Sequence, residues 1–266
     1  MQSIKKVNLI KKVTFILLIL IISCKKEDEV ELPRDIAEQA TADNQILEDY
    51  LSTHFYNYED YEDLSFNEST TGGYNFLKID TIAGENSSKI PLIGQVKKNS
   101  IRVKISNGSF VNHDLYYLVA REGIGQSPSS VDSTYLSYEG SLLNGNVFDQ
   151  STSPVWFDLT QVVRGFREAM PAFKSGIYQV NNDNTVDFES FGQGAMFLPS
   201  GLGYFSSPAG SIPAYSPLIF KIKLYTFNES DHDGDGIPTF QEFDVDGDGI
   251  ADDTDGDGLN DYLDTD

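Results

Sequence analysis

Cysteine, histidine and tryptophan are nearly absent from this 266-residue chain, which has one Cys, three His and one Trp. A single cysteine cannot close an internal disulfide, so nothing covalent staples the fold. His54, His113 and His232 are scattered without ligand spacing, which leaves no His/Cys zinc cluster. No GxxxxGK[ST] loop, no GxGxxG after a strand and no GxSxG elbow occurs, so the usual carriers of nucleotide-phosphate and serine-hydrolase chemistry are missing. Basic residues are also few: 19 Lys and Arg stand against 41 Asp and Glu, for a net charge of −22. Of this, −14 lies in residues 231–266, which hold thirteen Asp and one Glu with no Lys or Arg, and −8 is spread over the other 230. Without clustered cations neither part suits nucleic acid. The acidic end suits a hard cation, above all Ca²⁺.

What is present begins with an apolar run. Lys5, Lys6, Lys11 and Lys12 precede the ten residues Val13 to Ile22, which end in Ile21-Ile22-Ser23-Cys24. The run is too short to span a bilayer as a mature helix and has the form of a secretory signal. Its end resembles a bacterial lipoprotein cleavage box. On that reading residues 1–23 are removed, Cys24 is acylated, and the protein is held to the outer membrane without crossing it. The following Lys25-Lys26-Glu27-Asp28-Glu29 resembles the signals of surface-exposed lipoproteins in Bacteroidetes-type bacteria, which slightly favours the surface over the periplasmic face.

A hydrophobic fraction of 39%, with 17 Phe and 14 Tyr, is enough for a real core. After a linker at 24–34, Asp35 can cap a helix to about Tyr56, with Ile36, Ala40, Leu47, Leu51 and Phe55 near helical spacing. Alternation and β-branched residues predict strands at 74–82, 101–105, 115–120, 133–139 and 194–199, and over SPLIFKIKLYTF at 216–227. Thr160 can cap a short helix, QVVRGFREAM, ended by Pro171. Residues 177–193 read as a polar loop or small hairpin. Many strands with one short helix make an α+β pattern. The segments are an N-terminal extension at 35–110, a folded domain at 111–228 and an acidic tail at 229–266, which reads as a separable module.

Four motifs follow in fixed order: YEGSLLNGNVFD at 138–149, QVVRGFREAM at 161–170, FLPSGLGY at 197–204 and SIPAYSPLIFKIKL at 211–224. Together, over roughly 115–227, the series resembles the FKBP-type peptidyl-prolyl cis–trans isomerases. The resemblance implies a curved antiparallel sheet wrapped around a short helix. It also implies a proline pocket of Tyr138, Phe148, Asp149, Val162, Val163, Phe166, Tyr204, Ile212 and Phe220, and a substrate class of proline-containing unfolded or exported polypeptides. Phe166 would be the floor, Phe148 and Phe220 walls, and Val163 N–H and the Tyr204 hydroxyl donors to substrate carbonyls. Asp149 would stand beside the rotating carbonyl, and no cofactor is needed for the chemistry. The family pattern usually has Trp where Phe166 stands, an aromatic wall where Val155 falls and a glycine where Phe205 follows the pocket tyrosine. The alternative reading is a weakly active or inactive chaperone or binding subunit of a secretion or surface assembly, built on the same fold.

The tail repeats D-x-D-x-D-G-[IL]-x-D-x-x-D. Asp244, Asp246, Asp248, Asp252 and Asp255 fit it, and Asp253, Asp255, Asp257, Asp261 and Asp264 fit it nine residues later. A looser first copy has Asp231, Asp233, Asp235 and Glu242. The pattern resembles thrombospondin type 3 repeats. Alternate carboxylates put several oxygens within reach of one cation, with a glycine at the sharp turn, so structural Ca²⁺ is expected, and a tail disordered by self-repulsion without it.

Overall fold

The structure, a computed structural model, describes residues 32–62 and 76–265. The signal segment, Cys24, most of its linker and the start of the 74–82 strand lie outside those residues.

Helix α1, Ile36–Thr53, starts where Asp35 Oδ1 accepts from the N–H groups of Ala37 and Glu38 at 2.9 and 3.0 Å. It ends three residues before Tyr56 because His54 turns extended, and His54–Tyr56 becomes a short strand, β1, paired antiparallel with β2, Ile79–Thr81. The main sheet then uses β3 (Lys97–Lys104), β4 (Phe110–Arg121), β5 (Ser133–Leu142), β6 (Val147–Asp158), β9 (Gly192–Leu198) and β10 (Leu218–Asn228). Their spatial order is β3-β4-β9-β10-β5-β6, antiparallel throughout. Between β6 and β9 come the short helix α2, Arg164–Ala169, and a separate hairpin of β7, Ile177–Val180, and β8, Val186–Glu189. The 177–193 segment is therefore the hairpin.

Side chains alternate across the sheet, and both sets find cover. Leu115 of β4, Met196 and Leu198 of β9, and Leu218, Phe220, Ile222 and Leu224 of β10 face a core that includes Phe166 and Ala169 of α2. Their neighbours Tyr116, Leu118, Ala195, Phe197 and Ile219 face a second core with Leu47 and Leu51 of α1. This explains why every residue of β9 is buried. The layering is helix, sheet, helix, so the expected sheet around one short helix gains a second helix on its other face.

Two local expectations change. Residues 147–158, to which the sequence pattern assigns no strand, form β6. Pro154 is tolerated because β6 is an edge strand and bulges between Ser151 and Val155. The helix expected over 161–170 is split into a 3₁₀ turn, Leu159–Gln161, and α2. Asp158 caps the 3₁₀ turn, its Oδ1 accepting from Thr160 N–H at 2.9 Å, whereas α2 starts after Val163 with no side-chain cap, so Thr160 caps neither.

The N-terminal extension, the motif-bearing region and the tail form one compact unit from Arg34 onward. The extension supplies β3 to the main sheet. The tail packs against the domain: Phe243 and Tyr262 bury with Val131, which precedes β5. Arg167 of α2 donates to Gly249 O at 2.8 Å with its guanidinium 4.7 Å over Phe243, and Lys104 pairs with Asp248 at 2.7 Å.

Candidate functional site

A cavity of about 630 Å³ opens where β5, β6, β10 and the start of α2 meet. Tyr138 enters from β5, Asp149, Trp156, Phe157 and Asp158 from β6, and Phe220 from β10. Gln161, Val162, Val163 and Phe166 come from the turn and helix, and Tyr204 stands at the rim. Phe166 is 2% exposed and forms the floor. Phe220 meets it edge-on at 5.1 Å and 89°, and Phe157 at 6.0 Å and 68°. Such edge-to-face contacts fix ring orientation beyond what area burial requires.

The polar element of the apolar wall is a pair. Tyr138 Oη donates to Asp149 Oδ2 at 2.6 Å. Burial, then the hydrogen bond and the charge of Asp149, raises the Tyr138 phenol well above its ordinary pKa, so it stays a protonated donor. Tyr204, 39% exposed, adds a second hydroxyl-bearing ring to the lining.

Seven of the nine residues expected from the motifs line this cavity: Tyr138, Asp149, Val162, Val163, Phe166, Tyr204 and Phe220. Phe148 does not. It packs edge-on against Phe220 at 5.6 Å and 82° and braces that wall from behind. Ile212, 5% exposed, is part of the core. The β6 side of the wall is Trp156 and Phe157, with Phe157 at 5.0 Å from the Tyr138 ring, whereas Val155 packs on the core. The bulge in β6 decides which side chains turn inward, and spacing alone does not reveal it. Phe205 adopts φ +47°, the left-handed region that glycine tolerates best, at the position where the family pattern has glycine.

Residues 125–225 match the family described as FKBP-type peptidyl-prolyl cis-trans isomerase. They form an FKBP-type domain. Among relatives, the FKBP-type peptidyl-prolyl cis-trans isomerase FkpA of Aeromonas hydrophila is 31% identical over 163 residues, 59% of this chain and 53% of that protein. Peptidyl-prolyl cis-trans isomerase Mip of Coxiella burnetii is 33% identical over 145 residues, 52% of this chain and 54% of the relative. The chain thus spans about half the length of these relatives. The solved structure of FkpA from Escherichia coli is 27% identical and covers 48% of this chain and 51% of its own, with a TM-score of 0.36.

Beside the FKBP-type domain, the tail gathers carboxylates in three loops. Asp231, Asp233 and Asp235, then Asp244, Asp246 and Asp248, then Asp253, Asp255 and Asp257 each place oxygens within 4.8 Å of one another. Like charges this close repel unless a cation or protons intervene. The glycines at 234, 236, 247, 249, 256 and 258 all have positive φ, which curls each loop around its acids. Three oxygens, Asp233 Oδ2, Glu242 Oε2 and Asp244 Oδ1, are buried without a hydrogen-bond partner among the described residues. Burial first, then the charges of Asp233, Asp235, Asp231 and Asp261, raises the Glu242 carboxyl above its ordinary range. Asp252 and Asp261 brace the loops instead, accepting from the N–H groups of Val245 and Thr254 at 2.5 and 2.7 Å. Asp264 lines a neighbouring depression with Glu242, Asp235 and Asp255. This donor set, all oxygen with several unpaired atoms, fits a hard divalent cation.

Proposed function

We propose that the FKBP-type domain catalyses cis–trans isomerisation of X–Pro bonds in exported polypeptides. Support comes from an aromatic cavity closed by Phe166, Phe157 and Phe220, with a hydroxyl–carboxylate pair at its wall in which the buried Tyr138 donates to the exposed Asp149. Rotation about the peptide bond must break amide resonance, against a barrier of about 18–20 kcal/mol. The twisted amide has less charge separation than the planar one, so an apolar pocket disfavours the ground state relative to the transition state. Val163 N–H and the Tyr204 hydroxyl would hold substrate carbonyls, and Asp149 would face the rotating carbonyl. The reaction needs no nucleophile and no proton transfer. Uncatalysed isomerisation takes tens to hundreds of seconds, slow enough to limit folding.

The lipid anchor at Cys24, an outer-membrane location and Ca²⁺ in the tail complete the reading. Asp231, Asp233, Asp235 and Glu242, then Asp244, Asp246 and Asp248, then Asp253, Asp255 and Asp257 would hold the ions, which would supply charge compensation rather than chemistry. A second reading, a binding subunit with little turnover, is favoured by the exposed Ile177, Tyr178, Val180 and Val186 of the β7–β8 hairpin.

The test is the cis-to-trans rate of an X–Pro peptide with soluble protein beginning after Cys24, beside Phe220→Ala and Asp149→Ala. The expected result is acceleration by the parent that falls at least tenfold, about 1.4 kcal/mol of transition-state stabilisation, in each variant. A folded parent no faster than buffer selects the binding reading.

A further inference from the structure

We infer that α1, through Asp43, is the positioning element that holds the Tyr204 rim of the proline pocket; the inference rests on the isomerase reading above. Asp43 is fully buried, an unusual place for a carboxylate. Its Oδ2 accepts from Ser200 N–H at 2.8 Å and from Ser200 Oγ at 2.6 Å, while Oδ1 accepts from Gln39 Nε2 at 2.8 Å. Burial is offset only by such a set of donors, so this contact fixes Ser200 firmly against the helix.

Ser200 is the pivot of the rim. Its carbonyl accepts from both Gly203 and Phe205 N–H at 2.9 Å, and Tyr204 lies between them. The turn is seated from below as well: a Cβ at Gly201 would come within 2.1 Å of His113 Cε1, on β4. The far end of the same loop returns to the start of α1. Tyr215 N–H donates to Phe205 O at 2.6 Å, and the two rings meet edge-on at 5.3 Å. Arg34 N–H donates to Tyr215 Oη at 3.0 Å, with its guanidinium 4.3 Å over that ring.

Phe205 and Tyr215 both sit at positive φ, +47° and +59°. Backbone strain at bulky residues persists only where surrounding contacts over-determine it. Two contacts, with Asp43 of α1 at one end of the loop and with Arg34, just before the α1 cap, at the other, supply that constraint. The helix therefore carries information to the pocket from the face of the sheet opposite α2, and Asp43 acts through Ser200 on the place of the Tyr204 hydroxyl.

The experiment compares Asp43→Asn, Ser200→Ala and Tyr204→Phe, singly and in the Asp43→Asn/Tyr204→Phe pair, by isomerisation kinetics and amide hydrogen exchange. Asp43→Asn is expected to raise KM for the X–Pro peptide roughly tenfold with kcat little changed, the loss of one substrate hydrogen bond. It should speed exchange over residues 200–207 and leave β5 and β10 protected. In the pair, Asp43→Asn should add nothing to Tyr204→Phe. Unchanged exchange in the loop, an unchanged KM in a folded variant, or additive effects would overturn the inference. Should Asp43→Asn fail to fold, Ser200→Ala, which removes one hydroxyl and keeps the N–H, is read by the same criteria. A parent without isomerase activity would count against the proposed function instead, and loop exchange alone would then decide whether Asp43 clamps the rim.

Discussion

The Tyr138 hydroxyl is committed to Asp149 at 2.6 Å, so removing it strips the carboxylate of a buried donor while barely changing volume. Tyr138→Phe should lower kcat/KM roughly three- to tenfold with little loss of stability, read from peptide kinetics beside urea unfolding. Gly140 offers a sharper test. A Cβ there would lie 2.6 Å from the Phe148 ring and 3.0 Å from Phe220, so the glycine of the first motif makes room for both of these edge-on rings. Gly140→Ala should cost about 1–3 kcal/mol in stability and raise KM, because overpacking moves the Phe220 ring. At this scale the motifs carried most of the site, since each fixes a residue to a strand register that the fold preserves. Phe148 and Ile212 were legible as members of the constellation but not as lying behind the cavity surface. Trp156 and Phe157 were not legible, because a bulge between Ser151 and Val155 resets which side of β6 faces inward.

Leu47 and Leu51 of α1 are fully buried against Tyr116, Leu118 and Phe197, although periodicity alone says only that the helix has an apolar face and not what covers it. Leu51→Ala should destabilise the domain by about 2–5 kcal/mol in urea, and a change too small to measure would mean the helix is not part of the folding unit. The hairpin of β7 and β8 is the opposite case, an element attached by few contacts. Phe188 touches Tyr135 at 5.5 Å, and Tyr135 touches the cavity residue Trp156 at 5.1 Å, so exposed Tyr178 and Val180 continue an aromatic surface away from the pocket. Replacing residues 178–187 by Asn-Gly should leave turnover of a short X–Pro peptide intact and weaken binding to a long unfolded chain. Equal loss of both would show that the hairpin supports the fold rather than the substrate. Alternation and short apolar runs predicted β4, β5, β9 and β10 well, whereas β6 was hidden by Pro154 and by its edge position, where half its residues face solvent and the pattern breaks.

Across the whole molecule the tail is a docked element rather than a trailing one. Arg167, next to the pocket floor residue Phe166, holds Gly249 O, and His232 lies 3.4 Å from Asp158 at the cavity wall. Ca²⁺ should therefore raise Tm and protect residues 231–265 from proteolysis, by roughly 2.7 kcal/mol at a hundredfold excess over Kd. The same Tm in millimolar Ca²⁺ and in chelator would remove calcium from the account. The order of the strands has a consequence of another kind. β10 is the last strand of the sheet in the chain, yet it stands in the middle, paired with β9 on one side and β5 on the other. Until residues 218–228 are available, β3-β4-β9 and β5-β6 are two fragments with no shared edge, each leaving an apolar face uncovered. Their joining is a long-range closure, which is slow. A chain made from its N-terminus thus stays loosely structured until nearly all of it is available, and the arrival of a single segment then locks both halves at once.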